Sequence, residues 1–183
     1  MECELARLRA DNRCGGAGGA DIYLFFAFLI GGSEMTRDAY NNLMTLVRQL
    51  PLPMQIALTI YGEARGESEQ GKIAVAWVCL NRERNDNPYD DILDPLQFSC
   101  WNYGDKNFDK ILALMPFNLI FAECLDIAYG VYFGKPTDPT GGATNYYAPE
   151  LMRMIDPKSG GKPAWAKDMT TTKVIGNHVF LKA

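Results

Sequence analysis

The sequence contains a single histidine, His178, and it has neither an HExxH motif nor two cysteines at C-x-x-C spacing. A zinc ribbon and a zinc site built on two or three imidazoles are therefore excluded, and we expect neither a metal nor another cofactor. The five cysteines form an odd set with no disulfide pattern. Reduced thiols in a protein made in the cytoplasm fit this composition best.

Clustered basic charge and long apolar runs are also missing. Lysines and arginines are scattered along a chain of net charge −4 and pI near 5.0, whereas a nucleic-acid-binding protein carries a basic patch or stripe. The apolar run near the start, IYLFFAFLI, begins at Ile22 and ends at Ile30, well short of the roughly 20 residues of a membrane-spanning helix. We therefore expect no nucleic-acid partner, and at most an association of residues 22–30 with a membrane.

The chain divides into a short leading segment and one domain. Residues 14–20 (CGGAGGA) have too little side chain to pack, which is typical of a flexible tether. We therefore interpret residues 1–34 as a tail or anchor and residues 35–183 as the functional domain. With 48% hydrophobic residues, the chain is long enough to bury one core.

The apolar pattern predicts a mainly helical core. Residues 54–61 (MQIALTIY) and 73–80 (IAVAWVCL) have apolar side chains on most faces, which indicates two buried helices, and residues 111–131 have helical periodicity. Residues 143–147 and 174–181 resemble strands, the second with a hairpin turn at Gly176 and Asn177. The prediction is an α+β fold with a mainly helical core and a small β-hairpin region.

The most informative stretch is YGEARGE, residues 61–67, which places Glu63 and Glu67 four positions apart after the first buried helix. Burial would raise the pKa of Glu63 and keep it protonated near neutrality, as protonating a glycosidic oxygen requires, while a more solvated Glu67 stays ionised as a base or stabiliser. Under the alternative, both glutamates are exposed helix-end charges paired with Arg65.

A second group of residues suits a sugar-binding groove. Aromatic rings stack on the apolar face of a pyranose, and amide and hydroxyl groups hydrogen-bond its substituents. The candidates are Gln97, Phe98, Ser99, Trp101, Asn145, Tyr146 and Tyr147, of which Trp101, in a polar loop, is the best groove candidate. The alternative for Tyr146 and Tyr147 is a strand with one ring inside and one outside.

Several blocks together resemble the spore cortex-lytic (SleB/CwlJ-like) cell-wall hydrolases. They are IYGEARGE at residues 60–67, GKIAVA at 71–76, LNR at 80–82, QFSCWN at 97–102, GGATNYY at 141–147 and IGNHVF at 175–180. Their order is that of the family, and together they span roughly residues 54–181. The resemblance implies a lysozyme-like fold, a substrate of alternating amino sugars, Glu63 as the one essential glutamate, and Glu67 as a supporting residue. It also implies lytic transglycosylation, in which one carboxyl acts first as acid and then as base.

The predicted function is therefore cleavage of peptidoglycan glycan strands, by a lytic transglycosylase or a muramidase-type glycosidase with residues 35–183 as its catalytic domain. Two alternatives stay open: a thiol amidase or peptidase that uses Cys100 and His178 on the peptide stems, and a non-catalytic wall-binding module.

The predicted site of action is the bacterial cell wall or periplasm. The compact layout, without a peptidoglycan-binding repeat ahead of the catalytic part, is similar to a bacteriophage lysis or entry enzyme, or to a bacterial wall-remodelling enzyme. Export would then depend on phage lysis or virion proteins, or on a weak N-terminal signal.

Overall fold

The computed structural model describes residues 35–85, 91–94, 97–114 and 117–183. The predictions for residues 1–34, including the tether at 14–20 and membrane association at 22–30, lie outside the described residues. No helix in the described ranges combines the length and the apolar character needed to cross a membrane.

Helices form most of the described domain. They are α1 (Arg37–Val47), α2 (Leu52–Ala64), α3 (Glu69–Arg84), α4 (Lys106–Leu112), α5 (Leu119–Tyr132) and α6 (Pro149–Ile155). Short 3-10 turns lie at Ser99–Trp101, Pro157–Ser159 and Ala164–Ala166. Thr36, Ser68, Asp105 and Asn118 cap the starts of α1, α3, α4 and α5, each accepting a backbone N–H bond with its side-chain oxygen.

The two predicted core helices are confirmed. In α2 the side chains of Ile56, Leu58 and Ile60 are fully enclosed, and α3 is buried from Ala74 to Leu80. Helix α2 packs against both α3 and α5. A helix that is apolar on most faces needs neighbours on several sides, and this central position supplies them.

The prediction of one helical stretch over residues 111–131 is wrong in its continuity. Helix α4 ends at Leu112 and α5 begins only at Leu119, with Asn118 as its N-cap. Phe117, just before the cap, has a positive φ of 65°, which is incompatible with a continuous right-handed helix. Apolar residues lie on both sides of this break, so the apolar pattern alone did not reveal it.

A three-stranded antiparallel sheet completes the fold. Its strands are β1 (Asn145–Tyr147), β2 (Thr170–Ile175) and β3 (His178–Lys182), in the spatial order β1-β3-β2. Strands β2 and β3 form the predicted hairpin, and Gly176 in its turn has a φ of +55°, the left-handed region that glycine tolerates best. The α+β class with a mainly helical core and a small hairpin region is confirmed.

Candidate active site

Glu63 lies in the last turn of α2, where its carboxylate accepts three hydrogen bonds from two other parts of the chain. Its Oε1 accepts from the Ser99 hydroxyl at 3.0 Å and from the Cys100 backbone N–H at 2.7 Å. Its Oε2 accepts from the Tyr146 hydroxyl at 3.2 Å. Arg65, the partner expected if the glutamates were only helix-end charges, instead donates to the Gly62 carbonyl. Glu63 is therefore a positioned, half-buried carboxylate rather than a solvated surface charge.

The turn that carries Ser99 and Cys100 is fixed against α2 by close packing. A Cβ at Gly62 would lie 2.5 Å from Cys100 Cβ, so only glycine permits this approach. The next residue, Trp101, donates from its indole Nε1 to Thr59 Oγ1 at 2.9 Å, and its carbonyl accepts from the Tyr40 hydroxyl at 2.6 Å. These contacts hold the two donors of the turn at Glu63.

Tyr146 is brought to Glu63 by strand β1. Its ring packs against His178 with centroids 4.9 Å apart, and against Phe180 and Phe98 at 5.8 and 6.2 Å. Burial, together with the nearby Glu63 charge, raises the pKa of Tyr146 well above its usual value. The phenol therefore stays protonated and able to donate to Glu63.

The glycine-rich loop before β1 depends on two polar residues that were not assigned a role from the sequence. One is Asn81 in α3, whose amide donates to Asp138 Oδ2 at 3.1 Å and to the Ala143 carbonyl at 3.0 Å. Asp138 also accepts from the backbone N–H groups of Thr140 and Gly142. Burial opposes the ionisation of Asp138, but these hydrogen bonds outweigh it and lower its pKa. The ionised carboxylate thus fixes the loop that leads to β1.

Arg82 is the other such residue. Its Nε donates to the Thr144 carbonyl at 2.6 Å, and its guanidinium lies 5.2 Å from the ring centroid of Phe98, which in turn packs against Tyr146. Arg82 is buried although it is charged. The sequence did contain a signal for Asn81 and Arg82. Both are polar residues that directly follow the apolar helical run at residues 73–80, which could have marked them as partly or fully buried polar side chains with a structural role.

Glu67 lies apart from the donors of Glu63. Its Oε1 accepts a 3.4 Å hydrogen bond from Asn177, in the turn between β2 and β3. Gly176 is the other residue of this turn, and a Cβ there would come within 3.3 Å of Glu67 Oε2. Glu67 thus joins the turn between α2 and α3 to the hairpin turn.

The predicted groove residues separate into two groups. Trp101 is 1% exposed and forms part of the core, so the expectation that it stacks on a sugar is contradicted. Its indole N–H donates to Thr59, and its ring packs against Phe108. Phe98 is also buried, beneath Arg82 and Tyr146. The remaining candidates keep accessible surface: Ser99 is exposed, and Gln97, Asn145, Tyr146 and Tyr147 are half-buried.

The Cys100 and His178 pair required by the thiol alternative is not formed. Cys100 is fully buried, and burial together with the Glu63 charge raises the pKa of its thiol well above the usual value, which disfavours a thiolate. His178 is 7% exposed, and its imidazole packs against the rings of Tyr146 and Phe180. Within the described residues no hydrogen bond joins the two side chains, and none reaches His178 Nδ1.

Within the described part of the chain, no group of three or more histidine, cysteine, aspartate or glutamate side chains could hold a metal ion. The chemistry that this site offers is that of one oriented carboxylate with a neutral phenol and a hydroxyl beside it.

A family profile described as Cell Wall Hydrolase matches residues 66–181. The chain belongs to this Cell Wall Hydrolase family. The resemblance inferred from the sequence blocks is thereby confirmed. In this cell wall hydrolase Glu63 lies three residues before the matched range, whereas Ser99, Cys100 and Tyr146 lie inside it.

Two curated relatives are spore cortex-lytic enzymes. That of Halalkalibacterium halodurans is 33% identical over 129 residues, which cover 68% of this chain and 33% of the relative. That of Oceanobacillus iheyensis is 31% identical over 131 residues, 69% of this chain and 40% of the relative. The cell wall hydrolase chain thus spans less than half the length of either enzyme.

Two solved structures are similar to this cell wall hydrolase at 29% identity and a TM-score of 0.49. One is the catalytic domain of the Bacillus cereus SleB protein, with 71% of this chain and 88% of that chain covered. The other is the catalytic domain of the germination-specific lytic transglycosylase SleB from Bacillus anthracis, with 73% and 96% covered.

Proposed function

We propose that this protein cleaves the glycan strands of peptidoglycan and that Glu63 is its general acid and base. The observation that carries the proposal is the Glu63 carboxylate, held by Ser99, Cys100 and Tyr146 in a member of the Cell Wall Hydrolase family. General acid catalysis requires a carboxyl group with a fixed orientation toward the leaving oxygen, and three donors from two other chain segments supply that orientation.

The two carboxylate oxygens have different roles in this proposal. Oε1 accepts from two donors, whereas Oε2 accepts only from Tyr146. Oε2 therefore carries the proton that passes to the glycosidic oxygen as the bond between the sugars breaks. Tyr146, which remains a neutral phenol, donates to Oε2 once that proton has left and stabilises the carboxylate.

The same carboxylate then removes a proton from the nucleophile that attacks the sugar. In a lytic transglycosylase this nucleophile is the C6 hydroxyl of the muramic acid itself, and an anhydro ring closes; in a muramidase it is water. Glu67 contacts Asn177 rather than any donor of Glu63. We therefore propose transglycosylation with Glu63 alone, and give Glu67 a supporting role at the hairpin turn.

The products released from purified peptidoglycan by the full chain test this proposal. Mass spectrometry should detect anhydromuramoyl ends. Ordinary reducing ends would instead indicate hydrolysis and would make Glu67 the candidate second catalytic group. Cut peptide stems would contradict glycan cleavage altogether.

Three variants, two of them matched, separate the proposal from its alternatives. Glu63→Gln should remove turnover and keep the fold, whereas the same change at Glu67 should retain turnover, although reduced. Cys100→Ser should leave most activity intact, while the thiol peptidase alternative requires its loss. Binding to peptidoglycan without any released product, in the unaltered protein, would instead favour a non-catalytic wall-binding module.

We propose the bacterial cell wall as the site of action, and the peptidoglycan of the spore cortex as one candidate substrate because both curated relatives are named spore cortex-lytic enzymes. A phage lysis or virion role, an N-terminal signal and membrane association through residues 22–30 stay predictions. Fractionation of cells that express the full chain, with and without residues 22–30, would test the last of these.

A further inference from the structure

Strand β1 presents aromatic rings on both of its faces. Tyr146 contacts Glu63 on one side, and side chains of successive strand residues point to opposite faces. The next ring, that of Tyr147, meets Trp165 edge-on, with centroids 6.2 Å apart and planes at 86°. Trp165 is not part of the site described above.

Trp165 lies in a short 3-10 turn. Residues on either side of it are buried, but its own indole is not. Pro163 and Ala166 are buried, whereas Trp165 is 52% exposed. Exposing half of an indole forgoes a large part of the favourable free energy of burying it. Lys162 and Lys167, both exposed, flank the turn.

The surface around Trp165 continues across the sheet. Tyr147 is in register with Val179 of β3, which is in register with Val174 of β2. Val174 is exposed and Val179 is half-buried. We call Tyr147, Trp165, Val174 and Val179 the outer aromatic surface. It joins the Glu63 site through β1, an edge strand of the sheet.

We propose that the outer aromatic surface binds a sugar of the same glycan strand, several residues away from the bond that Glu63 cleaves. This inference rests on the proposed function. A flat, half-exposed indole matches the apolar face of a pyranose, and the flanking lysines match the carboxylates of peptide stems that project from the strand. Because β1 carries both Tyr146 and Tyr147, a glycan that crosses this edge strand contacts the outer aromatic surface and the Glu63 site together.

The test measures binding separately from cleavage. The full chain carrying Glu63→Gln is pelleted with insoluble peptidoglycan, with and without Trp165→Ala. We expect Trp165→Ala to weaken binding about 3- to 10-fold, the size of one aromatic stacking contact, and Trp165→Tyr to recover most of the loss. Phe133→Ala is the control, since Phe133, which directly follows α5, is 72% exposed and packs against the rings of Tyr129 and Tyr132; it should leave binding unchanged.

Kinetics of the Glu63-containing enzyme give a second readout. Trp165→Ala should raise KM more on intact peptidoglycan than on the shortest glycan fragment that the enzyme still cleaves. Equal binding by the Trp165→Ala and Phe133→Ala variants, or an equal change in KM on both substrates, would overturn this inference. Neither result bears on Glu63. Conversely, unchanged turnover in the Glu63→Gln variant would refute the proposed mechanism, and the pelleting comparison would still decide whether Trp165 binds the wall.

Discussion

Gly62→Ala isolates the contact that places the Cys100 N–H at Glu63. In a helix interior this change usually stabilises by about 0.5–1 kcal/mol. Here the added Cβ would lie 2.5 Å from Cys100 Cβ, 2.8 Å from its Sγ and 3.0 Å from Ile111 Cδ1. Ordinary contact begins near 3.4 Å, so the turn at Cys100 must move by about 0.9 Å.

That movement reaches the Glu63 carboxylate. A displacement of about 0.9 Å along the hydrogen bond would lengthen the 2.7 Å contact between the Cys100 N–H and Glu63 Oε1 to about 3.6 Å, beyond hydrogen-bond range. Losing one hydrogen bond to a charged group costs about 1.5–3 kcal/mol. If that bond positions Glu63 in the transition state, kcat/KM falls about 10- to 100-fold.

The stability change has three contributions. Overpacking costs about 1–3 kcal/mol and the lost hydrogen bond about 1.5–3 kcal/mol, while the gain in helix propensity offsets about 0.5–1 kcal/mol, which leaves a net destabilisation of about 2–5 kcal/mol. For a chain of this size the melting temperature should fall by about 4–20 °C. Thermal unfolding followed by circular dichroism, together with product release from peptidoglycan, measures both effects.

Gly66→Ala is the matched control, because nothing lies within 4 Å of a Cβ at Gly66. It should change neither the melting temperature nor the rate of product release. In the Gly62→Ala background, Cys100→Gly removes the opposing Cβ and Sγ and should restore part of the activity. Wild-type stability and activity in the Gly62→Ala variant would refute the role assigned to this close approach.

Two further variants probe Tyr146 and His178. Tyr146→Phe keeps the ring contacts but removes the hydroxyl that donates to Glu63 Oε2; kcat should fall about 10- to 100-fold with stability changed by no more than about 1 kcal/mol, and full activity would show that this donor is dispensable. Burial lowers the pKa of His178 below its reference value of 6.5 even though the Glu67 and Glu63 charges oppose the shift. Below about pH 6.5 the unfolded chain therefore binds a proton that the folded chain does not, and stability is lost as the pH falls. His178→Phe should reduce this loss, because it removes the group and leaves no unpaired Nδ1; urea unfolding at pH 5 and pH 7.5 measures the difference, and an unchanged pH dependence would contradict the assignment.

The sequence pattern correctly predicted two kinds of element: helices that are buried on nearly all sides, and a hairpin whose turn residues are characteristic. Helices α2 and α3 are apolar on most faces, and Gly176 with Asn177 marks the hairpin, so local chemistry was sufficient for both. Trp101 was misjudged because its polar neighbours indicated a solvated loop. Its indole N–H finds a partner 42 residues away, in Thr59, and no local pattern encodes that contact.

The candidate site also has a part that the sequence indicated and a part that depends on long-range contacts. Glu63 could be selected as the candidate catalytic residue from its position at the end of a buried apolar run and from the family blocks, and that role stays a prediction. The placement of Ser99 and Cys100 against it required knowing that Gly62 admits the turn. The support of β1 by Asn81 and Arg82 depends on contacts more than 50 residues apart along the chain, which only the folded structure reveals.

In the described part of the chain strand β1 pairs with β3 alone, so the support of Tyr146 comes late in the sequence. Glu63 and Tyr146 are 83 residues apart, and β3, at residues 178–182, must be present before β1 has a partner strand. During synthesis α2, which carries Glu63, emerges before β1 and β3, and contacts between distant segments form last. The carboxylate and its phenol donor therefore come together only when folding is nearly finished, so in a nascent or truncated chain that lacks residues 178–182 no partner strand would hold the Tyr146 hydroxyl at Glu63.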